Sequence, residues 1–160
     1  MKDKKVREEL IIDAFAMLFL LAGELYFFRN IIGTGQLISD GSDGRLTMLI
    51  AEHWYNVFKG KASIMDMGRF YPAKNTLAYS DMLLGFGLIH SVLRVVGLDI
   101  FRAYKYTIML VHLTGTVSSY YLLHRKLNLC AGWSVFGTVM FSFSSTYAVH
   151  IYHTQLVSLS

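Results

Sequence analysis

Residues 10–32, LIIDAFAMLFLLAGELYFFRNII, form a nearly unbroken apolar segment, and this constrains the fold more than any other feature. At 1.5 Å per helical residue it reaches about 34 Å, enough to cross a hydrocarbon core of roughly 30 Å. The segment before it, MKDKKVR, is basic, which places the N-terminus in the cytoplasm by the positive-inside rule. No small-x-small cleavage site follows a short apolar core, so the segment reads as an uncleaved anchor. It carries two acids, Asp13 near its inner end and Glu24 deeper. Eleven residues is about three helical turns, so both lie on one face. An acid at membrane depth faces protein rather than lipid, and Glu24 is expected to be structural and partner-facing.

Composition agrees. Of 160 residues 54% are hydrophobic and 16% are charged, with a mean hydropathy of +0.41; soluble domains carry roughly 25% charge. The net charge of +4 is concentrated in the first residues. No basic stripe interleaved with aromatics occurs, so a nucleic-acid partner is not expected. The single Cys130 excludes an intramolecular disulfide framework.

After the anchor comes GTGQLISDGSDG, a turn-rich loop on the outer side. It lacks the third glycine and the preceding strand of a dinucleotide fingerprint. Asp40 and Asp43 are three apart, which breaks the alternation of a calcium loop. Residues 45–59 have helical periodicity: Leu46, Leu49, Ile50, Trp54, Val57 and Phe58 fall on one side, with Glu52, Asn56 and Lys59 more polar. Too short and too polar to span, this helix is expected to lie on the outer leaflet. An irregular loop with Pro72 follows, after which Ser80 can cap, and Asp81 favour, the next helix.

Residues 81–97 are oily but carry His90 and Arg94. They either cross a thin region or lie embedded at the surface, and the charge rule accepts both topologies. Residues 103–123 read as a second span ending at His124, Arg125 and Lys126, and residues 131–151 as a third. Along the third, Ser134, Thr138, Ser142 and Thr146 repeat every four residues, which permits close helix approach. His90 and His112, within apolar runs, are expected to be packed or hydrogen-bonded. The chain closes on HIYHTQLVSLS, where a new apolar run starts, so the sequence reads as the N-terminal part of a longer polytopic protein. The expected fold class is an all-α membrane protein with three or four transmembrane helices and amphipathic juxtamembrane helices in a long first outer loop (residues 33–102).

The string SDGRLTMLIAEHWYNVFKGKASIMDMGRFYPAKNTLAYSDMLLG resembles the first outer loop of bacterial polytopic membrane proteins of the GT-C glycosyltransferase superfamily. The shared elements are acid-x-Arg, an EHWY-like amphipathic helix, FYP, NTL and YSD, with an HxxHTQ-like element after a later span. The resemblance implies transfer of a sugar from a polyprenyl-phosphate-linked donor on the non-cytoplasmic face of the inner membrane. It implies Asp43 as general base, or as holder of a metal with the acceptor. It also favours an embedded 81–97, which leaves His150 and His153 on the same side as Asp43.

A carboxylate that takes the acceptor's proton in the transition state gives about 10²- to 10⁴-fold. The departing lipid phosphate can be stabilised by cations or a divalent metal, the one cofactor left open. Candidate substrate contacts are Arg45, Glu52, His53, Arg69, Lys74 and His153, although a solvated helix face is the plainer reading of Glu52 and His53. Asp40 reads as a turn residue. His150 and His153 alone do not make a metal site. The expected partners are the bilayer, the lipid-linked donor and the remaining transmembrane helices, without which the 160 residues are expected to be inactive. The competing class is a non-catalytic polytopic protein, an assembly subunit or part of a transporter. A lipid-phosphate hydrolase would need a clustered Arg/His signature that is missing.

Overall fold

A computed structural model of the chain describes residues 2–32, 43–69, 71–79 and 81–144. The described residues are helical and contain no strand. In order they form α1 (Lys2–Phe27), the short α2 (Arg29–Ile32), α3 (Asp43–Phe58), a 3₁₀ turn (Thr76–Tyr79), α4 (Leu84–Val95), α5 (Ile100–Tyr121), a π-helical turn (Leu122–Lys126) and α6 (Ala131–Ser142). Two compact units result, divided between Val111 and His112 on α5. The first holds α1, α2, the second half of α5, the π turn and α6; the second holds α3, the 3₁₀ turn, α4 and the first half of α5.

In the first unit, Arg7–Phe27 is long and apolar enough to cross a membrane, the one such helix among the described residues. The helix is interrupted at Phe28, where the sequence favours continuation to Ile32. Here Arg29 turns back: its guanidinium donates to the Tyr26 carbonyl at 2.8 Å and lies 3.8 Å from the centre of the Tyr26 ring. A cation on the last free carbonyls is a common way for a helix to close. The inward face of α1 buries Ala16 and Leu20 with Tyr120 of α5, and Met17, Val135 and Val139 pack around them. Its other faces leave Phe15, Leu18, Phe19 and Leu25 exposed.

Two acids of α1, Asp13 and Glu24, turn to α5 and the π turn after it. Asp13 accepts from the Tyr120 hydroxyl at 2.9 Å, pairs with Arg125, and lies 3.3 Å from His124. Glu24 meets His112, described below. On α6, Ser134, Thr138 and Ser142 are all buried, so three positions of the small-residue ladder mark its packed face; Thr146 and the rest of the third expected span lie outside the described residues. Helix α5 has the length of a span, but its polar residues hold it below the apolarity that α1 reaches.

In the second unit, α3 and α4 pack side by side. Ile50, Trp54 and Leu77 form the core, with Leu46, Val57, Met67 and Leu83 around it. The approach is close because residue 87 is glycine. A Cβ there would stand 2.4 Å from Cδ1 of Trp54, well inside van der Waals contact. The Trp54 indole N–H donates to the Met82 carbonyl at 2.6 Å. Leu83 then adopts φ +45°, an uncommon left-handed conformation for a branched residue, and the helix starts at Leu84. Asp81 is therefore exposed and three residues short of the first turn, where sequence reasoning favours it as a helix-starting acid. With 12 residues α4 is about 18 Å long, too short to cross a bilayer core of roughly 30 Å. Asp99 caps α5, its Oδ1 accepting from the backbone of Phe101 and Arg102 at 3.0 Å each.

Candidate functional site around helices α3 and α4

Asp43 is the first residue of α3 and is half-buried. Thr47, one turn on, donates its hydroxyl to the Asp43 carbonyl at 2.9 Å. The first backbone N–H groups of a helix have no intrahelical partners, so this end suits both a carboxylate and a phosphate. Arg45 is exposed in the same turn.

Glu52 lies nine residues further along α3, about 13.5 Å down the axis and half a turn round from Asp43. Its environment corrects the expectation of a solvated face. The side chain is 17% exposed, and both oxygens are engaged. Oε2 accepts from His90 Nε2 at 3.0 Å and from Arg94 Nε at 2.9 Å, while Oε1 accepts from Arg94 Nη2 at 3.0 Å. The Arg94–Glu52 contact is thus a two-pronged guanidinium–carboxylate pair, the stronger geometry for such a contact. Arg94 also donates to the Leu98 carbonyl at 2.6 Å and sits 4.9 Å from the centre of the Tyr55 ring.

His90 is fully buried. Because Glu52 can only accept when ionised, Nε2 carries the proton, and Nδ1 is buried without a hydrogen-bond partner. Burial holds the imidazole pKa below its ordinary value of 6.5, partly offset by the Glu52 carboxylate. The hydrogen bonds that Arg94 donates to Glu52 raise its own pKa instead, which keeps it cationic.

His53 Nε2 lies 3.0 Å from the Ile64 carbonyl, so this histidine anchors the loop after α3 rather than facing water. Arg69 is half-buried and Lys74 is exposed. Asp40, His150 and His153 lie outside the described residues. The second unit therefore joins Glu52 to His90 and Arg94, two residues absent from the expected contacts, and leaves Asp43 and Arg45 at the other end of α3. One signal in the sequence pointed to the first group. His90 and Arg94 are four apart in an oily stretch, so they share a helical face and need a common acidic partner.

Among the described residues no three His, Cys, Asp or Glu side chains come close enough to hold a metal ion. Compared with protein-family models, curated proteins and solved structures, the chain matches none of them.

Proposed function

We propose that this chain is the donor-facing part of a GT-C-type membrane glycosyltransferase, with Asp43 as its general base. In this reading the chain has three or four spans, the N-terminus is cytoplasmic, and the second unit stands at the outer surface of a bacterial inner membrane. The observation that carries it is the position of Asp43 in the first turn of α3, two residues before Arg45. The apolar α1 and the short α4, which exposes Leu84, Leu88, Val92 and Val95 on one side, supply the membrane setting.

In the reaction an acceptor hydroxyl passes its proton to Asp43 as its oxygen bonds to the anomeric carbon. The bond from that carbon to the phosphate oxygen breaks, and polyprenyl phosphate departs with the electron pair. Arg45, one turn or less from Asp43, is the cation assigned to the phosphate, with Arg69, Lys74 and His153 as further contacts. The role of Glu52 changes: it positions α4 against α3 through His90 and Arg94 instead of touching substrate.

The test is sugar transfer from a polyprenyl-phosphate-linked donor in membranes containing the protein at its natural length. Asp43→Asn is expected to lower the rate by about 10²- to 10⁴-fold without changing protein level. Full retention of transfer by Asp43→Asn contradicts the assignment.

A second reading, a non-catalytic assembly or transport subunit, is favoured by one observation. The buried Glu24 and the half-buried Glu52 are each paired with residues of neighbouring helices, as helix assembly requires. In that case no lipid-linked sugar is turned over by the wild type either.

A further inference from the structure

His112 stands on α5 inside the first unit, with a side chain 2% exposed. Its Nε2 lies 2.9 Å from the Ser142 carbonyl oxygen of α6, and its Nδ1 lies 2.6 Å from Oε2 of Glu24 on α1. A carbonyl oxygen only accepts, so Nε2 must carry a hydrogen. A nitrogen and a carboxyl oxygen 2.6 Å apart also need a proton between them, because two lone pairs would otherwise meet. The imidazole and the carboxyl group therefore hold one proton in common beyond the Nε2 hydrogen. Written as imidazolium and carboxylate, or as imidazole and carboxylic acid, the pair has the same proton count and no net charge.

The surroundings suit a neutral pair. The Phe27 ring is parallel to the imidazole at 5.5 Å, the Phe28 ring meets it edge-on at 5.4 Å, and Phe143 lies 5.5 Å away. Phe143 also packs beside Gly23 of α1, where a Cβ would meet its ring at an ordinary contact distance of 3.4 Å. Glu24 Oε1 is buried without a hydrogen-bond partner, as are the hydroxyls of Thr138 and Ser142 on α6. Other ionisable groups of α1, α2 and α5 have partners of their own. Asp13 is with Tyr120 and Arg125, Arg29 is on Tyr26, and Lys105, two turns earlier on α5, has its own interactions.

We propose that Glu24 and His112 form a buried proton-binding site, closed by one shared proton, that joins α1, α5 and α6 without net charge. The site does not depend on the glycosyltransferase reading. Its ligand is the proton itself, and it is the arrangement by which a helix apolar enough to cross a membrane can keep an acid.

The test is ¹⁵N-histidine NMR of the full chain in lipid nanodiscs at neutral pH, with His112 assigned by its loss in His112→Gln. The wild type is expected to show a protonated Nε2 and a strongly downfield proton shared at Nδ1. In Glu24→Gln the side-chain amide can donate to Nδ1, so the Nε2 hydrogen persists while the downfield resonance is lost. A His112 spectrum unchanged by Glu24→Gln, or one with a bare Nε2, overturns the proposal. Should Glu24→Gln not fold, the wild type alone decides. The ¹³C resonance of the Glu24 carboxyl shifts on transfer to D₂O if it shares a proton, and the absence of that shift overturns the site.

Discussion

Each unit sets one glutamate against one buried histidine, yet the two solve the problem in opposite ways. In the first, Glu24 and His112 are 3% and 2% exposed, and the second imidazole nitrogen reaches a carbonyl. In the second, Arg94 grips both oxygens of Glu52 while itself 23% exposed, and the second nitrogen of His90 has no partner. The difference follows from solvent. A guanidinium that keeps part of its surface wet brings full charge at tolerable desolvation cost, whereas deep among phenylalanine rings the same charge would cost several kcal/mol per ion. A shared proton neutralises the acid there without importing a cation.

The largest expected effect comes from breaking the charged seam. Glu52→Ala leaves Arg94 and His90 without their acceptor and should cost about 3–5 kcal/mol, read as faster amide exchange in α3 and α4 while α1 is unchanged. Replacing Glu52 and Arg94 together by Leu and Met should cost clearly less than the sum of the single changes, because no charge is then stranded. Equal additive losses would mean the pair does not hold the two helices.

Next in size is Gly87→Ala, whose new methyl group meets the Trp54 ring at 2.4 Å. Overpacking of this kind costs about 1–3 kcal/mol, partly offset by the better helix propensity of alanine. A rise in melting temperature would show that α3 and α4 can slide apart freely.

Acid should also separate the units. His90 is held below its ordinary pKa of 6.5 by burial, so the unfolded chain takes up its proton first as pH falls. The stability it contributes is full above about pH 6.5 and declines as pH drops towards the folded-state value, by at most about 1.4 kcal/mol per pH unit for one proton. Amide exchange in α3 and α4 between pH 7 and pH 5 reads this, and His90→Gln should flatten the slope.

The smallest effect is expected for Glu24→Gln, about 1 kcal/mol or less, since a neutral donor replaces a neutral pair. Thermal melts in lipid nanodiscs check it. A loss as large as that of Glu52→Ala would mean that the first unit, too, depends on full charge.

The helices were legible in the sequence where periodicity or length is strong. The apolar run from Leu10 announces α1, and the alternation between Leu46 and Phe58 announces α3 to within two residues at each end. The start of α4 was not legible, because it is set by the Trp54 indole taking the Met82 carbonyl, a contact between residues 28 apart. Glu52 was misjudged for the same reason: a polar residue on an amphipathic helix looks solvated until another helix brings its partners. Glu24 was readable because an acid inside an apolar run needs a partner, although nothing local named His112. Asp43 rests on resemblance more than on pattern, and an Asp-Gly pair by itself is ordinary turn chemistry.

In the proposed reading the first unit lies in lipid and the second at an outer water surface. Single-cysteine labelling tests this most directly, with Cys130→Ser as the background and Leu18→Cys on α1 compared with Ser63→Cys in the loop after α3; both parent side chains are exposed. A membrane-impermeant maleimide applied to right-side-out vesicles should modify Ser63→Cys within minutes and leave Leu18→Cys untouched until detergent is added. Rapid labelling of Leu18→Cys without detergent, or labelling of Ser63→Cys only in inverted vesicles, would contradict it.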